Sequence, residues 1–498
     1  MERAEDSLRL FNVRYVPLFA LSLILGIFTV KVSLLVAIIL WVVAIFALLA
    51  LFLTKNIKWP IALALVAVVF LGYGIARLEL YYRNEVGVHG RGEVTCRVTS
   101  VSETEEGYLV TADKVSAGGK SFSGGVYFES EEYFEIGDRV TFYGEIEIEE
   151  LELTEVYEAL KYRKGQKYVA SVEEFRRVEE GAPPLSYTIK SGAKALLIEN
   201  QGDRAGAFTY ATIFGDADAM WESDKQSMRE VGVAHVFAIS GLHVAVLSGA
   251  ILFLLRKLKV KDGISLLILL PILGFYAYIV GFTPSVLRAA IMVSLSLLAS
   301  HLGMRYDDLS ALSFAAVLLL LTRPLLLFDI SFIMSFLSIF GIHSLASPLK
   351  EAFTRRGMKE GLAGALALSI AATLALVPVS ALVFGRITPI GILLNLVVVP
   401  LASVSYVLSL VGLLLTAVIP SFGALLAFVG YLPLLISEVS GWAAGLGLSE
   451  KYDFETAEVV VYYATLAFVG KYSLASRRVK IVSGGMGLAL LSILIFAI

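Results

Sequence analysis

The chain has 498 residues, 57% of them hydrophobic and only 17% charged, with a net charge of −3 and a mean hydropathy of +0.78. A soluble globular protein carries about a quarter charged residues, so these figures exclude a soluble fold, and repeated long apolar runs define a polytopic α-helical membrane protein. The lone cysteine, Cys96, excludes an internal disulfide and a Cys-rich metal site.

The first residues, MERAEDSLRLFNVRY, mix charges and lack a small-residue cleavage site. The first apolar run therefore reads as a retained span rather than a cleaved signal. Apolar segments at 15–30, 33–53 and 59–79 make an N-terminal membrane block within residues 1–84. The loop TKNIK between the second and third carries Lys55 and Lys58. Basic loops stay cytoplasmic, which starts the N-terminus inside and ends the third span outside.

Residues 85–183 lose the helical period and hold 22 acidic against 11 basic residues, a local balance of −11 set against +8 for the remainder. RGEVTCRVTSV, EGYLVTADKV, GGVYFES, DRVTFYGEIEI and KYVASVEE alternate and are rich in β-branched and aromatic residues, the mark of strands. Five short strands in this length predict a small barrel, with an OB-fold as the leading candidate, on the extracytoplasmic face. Tyr108, Tyr127, Phe128, Tyr133, Phe142 and Tyr143 are candidates to stack on nucleic-acid bases, or else to fill the barrel core. KYRKGQK, with Lys161, Arg163, Lys164 and Lys167, is the basic patch.

Residues 184–232 have apolar positions at helical spacing but are too polar to span, which predicts amphipathic helices at the outer surface. The cluster Asp216, Asp218, Glu222 and Asp224 reads as a solvated acidic face more readily than as metal ligands.

A second membrane block occupies 233–498, with spans predicted at 233–255, 264–282, 284–302, 308–322, 325–346, 362–384, 387–417, 421–447, 456–470 and 481–497. The segment 387–417 is long enough for two half-helices. Basic loops RKLKVK (256–261), KEAFTRRGMK (350–359) and KYSLASRRVK (471–480) all fall on the cytoplasmic side of this count. Thirteen crossings leave the C-terminus outside.

Polar groups concentrate at a few places in this block. HVFAISGLHVAVLSG opens its first span with His235, Ser240, Gly241 and His243. Polar groups in hydrocarbon cost free energy unless they meet a partner or water. Each histidine alone suits a group satisfied by neighbouring helices, whereas the pair with Ser240 suits a polar pathway. Eight residues of helix separate the histidines by about 12 Å, too far to share a zinc ion that holds nitrogen at about 2 Å, unless Ser240-Gly241 breaks the helix. AISGLH lacks the G-x-S-x-G frame of a serine nucleophile. GFTPSVLRAAIM places Arg288 one turn inside a helix opened by Pro284, where it either borders water or snorkels outward. RPLLLFDISFIMSFLSIFGI buries Asp329, and an Arg288–Asp329 pair is a candidate lock. GRITPIGILLNLVVVPLAS carries Asn395 between Pro389 and Pro400, in the manner of helices that line a cavity. Glu438 is a further polar candidate.

Together these motifs resemble the ComEC competence family, the inner-membrane channel of DNA uptake. The resemblance rests on HVFAISGLHVAVLSG, IFGD at 213–216, TPSVLRAAIM at 283–292, RPLLLFDISFIMSF at 323–336 and TPIGILLNLVVVP at 388–400, in that order after an OB-like domain. It implies passage of single-stranded DNA across the cytoplasmic membrane in natural transformation. His235, Ser240, Gly241, His243, Arg288, Asp329 and Asn395 fall on its polar motif positions. It further implies a DNA receptor, membrane lipids around the channel, and a cytoplasmic ATP-driven motor, since the chain has no G-x-x-x-x-G-K-[ST] phosphate loop.

The resemblance departs in two respects. Many family members carry a C-terminal metallo-β-lactamase-like nuclease domain, and this chain offers no H-x-H-x-D-H cluster before Ile498, so a separate nuclease is expected. The strand domain is acidic where DNA binding calls for basic charge, as in GEIEIEELELTEVYE at 144–158. No cofactor or resident metal is expected. Two other readings stay open: a metal-dependent intramembrane enzyme acting on a lipid or cell-wall substrate through His235, Ser240, His243 and the Asp216 cluster, and a small-solute transporter.

Overall fold

The computed structural model describes residues 15–53, 59–104, 107–149, 158–236, 240–452, 454–471 and 484–486. The protein is mainly helical, with one six-stranded sheet near its N-terminal third. Helices α1 (Tyr15–Phe28), α2 (Leu34–Leu53) and α3 (Trp59–Asn84) come first. Glycines let α1 and α3 cross at van der Waals range: a Cβ on Gly26 would overlap the Val69 carbonyl, and one on Gly72 the Leu23 carbonyl. Apolar side chains gain little from leaving one apolar solvent for another, so close backbone approach of this kind is what joins helices in lipid.

The sheet follows. Strands β1 (Gly90–Thr104), β2 (Gly107–Ala117), β4 (Gly125–Ser130), β5 (Arg139–Ile148) and β6 (Gln166–Glu179) close on themselves, because β1 pairs with both β2 and β5. The two-residue β3 (Lys120–Ser121) is a flap on β2. The ring order is β1-β2-β4-β6-β5, with β4 and β6 parallel, the connectivity of an OB barrel. Closure removes the open edges of a small sheet. Alternation along β5 turns Val140, Phe142, Ile146 and Ile148 inward, against Phe128, Phe134 and Tyr168. Phe128 and Phe142 are fully buried with rings 5.2 Å apart, and each contributes about 2–3 kcal/mol by leaving water.

A short helix α4 (Glu158–Lys164) precedes β6. Then come α5 (Leu185–Gln201), α6 (Asp203–Phe214) and α7 (Glu222–Glu230), and the large helical block: α8 (Gly241–Lys257), α9 (Asp262–Ile279), α10 (Pro284–His301), α11 (Asp308–Thr322), α12 (Ile330–Arg355), α13 (Glu360–Phe384), α14 (Gly391–Val418), α15 (Gly423–Val429), α16 (Tyr431–Ala444) and α17 (Thr456–Val469). Among the described residues seven helical stretches are long and apolar enough to cross a membrane, and shorter apolar helices include Tyr15–Phe28 and Asp308–Thr322. The protein is a multi-pass membrane protein.

Two expectations are corrected. Helix α6 does not lie on the surface: every residue from Ala205 to Phe214 is buried. Its sequence DRAGAFTYATIF is small enough to sit inside the bundle, where Gly206 packs on the backbone of α5 at Ile198. Segment 387–417 is one 28-residue helix carrying Pro400 internally rather than two half-helices. The break falls instead at Gly430, between α15 and α16. The predicted span at 481–497 lies almost wholly outside the described residues.

Candidate polar site at the converging helix heads

The heads of α8, α10 and α12 meet, and the polar motifs come with them. Ser240 caps α8 in extended conformation, its Oγ accepting from the Leu242 N–H at 3.2 Å. His243 returns the cap, its Nδ1 accepting from the Ser240 N–H at 3.2 Å. A ring nitrogen that accepts a backbone N–H carries no proton, so the neutral His243 is the Nε2–H tautomer. The ring packs edge-on to Tyr406 of α14, with centroids 4.9 Å apart. His235 sits in a 3-10 turn, Ala234–Val236, within electrostatic reach of His243.

Arg288, one turn into α10, is 4% exposed. Its Nη2 occupies the space that a Cβ at position 241 would take, and its guanidinium carbon lies 6.0 Å from the centroid of the Phe336 ring. Its Nε has no hydrogen-bond partner. The head of α10 is itself uncapped, and the buried Thr283 hydroxyl has no partner. Ser285 and Ser331 link α10 to α12 with hydroxyl oxygens 3.1 Å apart.

The expected Arg288–Asp329 lock is absent; no ion pair joins the two among the described residues. Asp329 caps α12 by accepting from the Phe332 N–H at 3.1 Å. Its charge is met by Arg163 of α4 at 3.3 Å. A buried carboxylate takes whichever cation the fold delivers, and the fold delivers one from 166 residues away.

The basic patch of the strand region is largely spent in this way. Lys161 pairs with Glu149, which also accepts from the Tyr127 hydroxyl. Lys167 donates to the carbonyls of Tyr82, at 2.7 Å, and Val86 at the end of α3. Burial first, and then the nearby Arg83, hold the Lys167 ammonium below the usual lysine value. Arg83 in turn donates to the Gln166 carbonyl and lies over the buried Tyr162 ring. Of the four basic residues only Lys164 remains exposed. The candidate aromatics do not gather on one face: Tyr108 packs on Tyr133 and Tyr143 lies under Arg176, while Phe128 and Phe142 are core.

Asn395 lies on α14, its Oδ1 buried without a partner. Ser409 and Thr416 on the same helix also carry buried hydroxyls without hydrogen-bond partners among the described residues. Tyr406 follows Asn395 by eleven residues, about three turns, so helical spacing from Asn395 was the signal that would have found it. Of the acidic cluster, Glu222 pairs outward with Lys225 and Arg229. Asp224 turns inward to a bidentate Arg204, at 2.7 and 3.1 Å, and to Ser437 at 2.7 Å. Arg204 also reaches Glu438 at 3.1 Å. Among the described residues no group of three His, Cys, Asp or Glu side chains stands in position to hold a metal ion.

A multi-pass helical bundle with an inserted closed barrel defines a polytopic membrane protein. The model of the Competence protein family matches residues 212–476, more than half the chain. The chain belongs to that family. It is 29% identical over 239 residues to ComE operon protein 3 of Bacillus subtilis, covering 48% of this chain and 30% of that protein. It is 28% identical over 196 residues to an uncharacterized protein of Aquifex aeolicus, covering 39% and 44%. The chain thus spans less than half the length of these curated relatives. No solved structure matches it.

Proposed function

We propose that this protein is the channel through which single-stranded DNA crosses the cytoplasmic membrane during natural transformation. The observation that carries the reading is that the region matching the Competence family, 212–476, contains the buried cation Arg288 and the polar heads of α8, α10 and α12. A polyanion crosses hydrocarbon only along a polar lining, and helix N-termini beside an arginine supply one. In this reading the N-terminus is cytoplasmic and the barrel extracytoplasmic. Strand removal and energy come from a separate nuclease and a cytoplasmic ATP-driven motor, and a receptor hands over the DNA.

The test is uptake of fluorescent DNA into a naturally transformable strain stripped of its own family member. Expression of this protein restores entry of label into the cytoplasm. Correctly inserted protein that leaves uptake at the background of the deletion strain overturns the reading.

A further inference from the structure

Arg288 poses an electrostatic problem that the described residues do not solve. Its guanidinium is 4% exposed and has no carboxylate partner among the described residues. It lies directly against Gly241, the first residue of the 17-residue helix α8. It projects from near the head of α10, whose cap residue Thr283 leaves its hydroxyl unused. Helix heads carry roughly half a positive charge each, and this cation lies against one of them, at Gly241, on a side chain one turn from another. The motif carboxylate Asp329 is committed to Arg163 and to the head of α12. Burying an uncompensated charge costs several kcal/mol, and placing it at the positive ends of helices adds to that cost. An anion bound there removes both penalties.

We propose that Arg288, with the head of α8 at Gly241 and the Thr283 hydroxyl, forms a binding site for a phosphodiester anion. The donor set matches the ligand. A guanidinium offers paired N–H groups to two phosphate oxygens, a hydroxyl offers a third donor, and helix heads favour negative charge. Gly241 has a specific part in this: any side chain there would expel the guanidinium. Choosing a DNA phosphate as the anion rests on the uptake reading. The site's demand for an anion rests on geometry alone, and a lipid headgroup has the same phosphodiester chemistry.

The experiment uses the full-length protein in nanodiscs of phosphatidylcholine, with a fluorescein-labelled 30-mer oligothymidylate as probe, titrated across a range of salt. A parallel arm measures enrichment of phosphatidylglycerol around the protein. Arg288→Gln should weaken oligonucleotide binding about tenfold and flatten the slope of log affinity against log salt by about 0.7, one phosphate contact on single-stranded DNA. Gly241→Ala should reproduce both effects with the arginine still present. Arg288→Lys should keep the slope, which shows that the loss in Arg288→Gln is of charge rather than of folding. An oligonucleotide that wild-type protein ignores, together with Arg288-dependent enrichment of phosphatidylglycerol, assigns the site to a lipid headgroup and overturns the DNA reading. Unchanged slope and affinity in Arg288→Gln and unchanged lipid enrichment overturn the site, and wild-type oligonucleotide binding then leaves the uptake reading standing.

Discussion

Asp224 and Asp329 show how differently two buried carboxylates are held. Burial by itself would raise the pKa of Asp224, but the hydrogen bonds from Arg204 and Ser437 outweigh it and hold the carboxyl below its usual range. A carboxylate depressed in the folded state stabilises the protein above its unfolded value of about 3.9, and that contribution fades as pH falls through the folded value. Asp224→Asn should therefore lower stability by about 2 kcal/mol at pH 7. In thermal melts of the detergent-solubilised protein, the gap between wild type and variant should shrink below pH 4. A gap independent of pH would mean that the carboxylate charge contributes nothing. Asp329 depends on one long-range arginine. Arg163→Met leaves its charge unpaired and should cost about 3 kcal/mol, and adding Asp329→Asn should restore much of it. A double mutant that is the sum of two independent losses would show that the pair is not coupled. The sequence placed Asp329 among buried polar groups because its flanks are apolar, but nothing local named its partner. Arg288 lies nearer in the sequence and was the natural choice; the fold gave the role to Arg163 instead.

At the scale of elements, punctuation made the helices legible. Pro284 opens α10 at its first residue, and Gly385, at φ 66°, closes α13. Both follow from local backbone preference. The barrel strands were readable because one face is core and the other is wet, which enforces alternation. Helix α6 was misread for the converse reason: alanine, glycine and threonine serve a buried helix and a surface helix alike, and only tertiary packing decides between them. The basic run 161–167 was legible as charge but not as destination. Two of its cations, Lys167 and Arg163, join β6 to α3 and α4 to α12, while Lys161 is paired with Glu149.

At the scale of the whole molecule, one residue makes orientation measurable. Cys96 is buried in the barrel core, and burial, with Asp113 adding to it, pushes its thiol up to about 12. A thiol this protonated and enclosed should not react with maleimide at pH 8 in the folded protein. The native chain therefore serves as a silent background for introduced cysteines. Tyr133→Cys, on the exposed side of the barrel, should label with an impermeant maleimide in intact spheroplasts. Arg356→Cys, in the exposed turn between α12 and α13, should label only after permeabilisation. The reverse pattern would invert the proposed orientation. The proposed topology rests on the basic loops, because charge near span ends is read during insertion.

The joint between barrel and bundle also has a mechanical consequence. Among the described residues the barrel and α4 are held at two places: by Lys167 on the carbonyls of Tyr82 and Val86 and Arg83 on that of Gln166, at the end of α3, and by Arg163 on Asp329, at the head of α12. A domain held at one point swivels and absorbs a pull as rotation. One held at two points resists torque and passes load inward as shear. A tug on the barrel would then reach the head of α12, which the Ser285–Ser331 contact ties to α10.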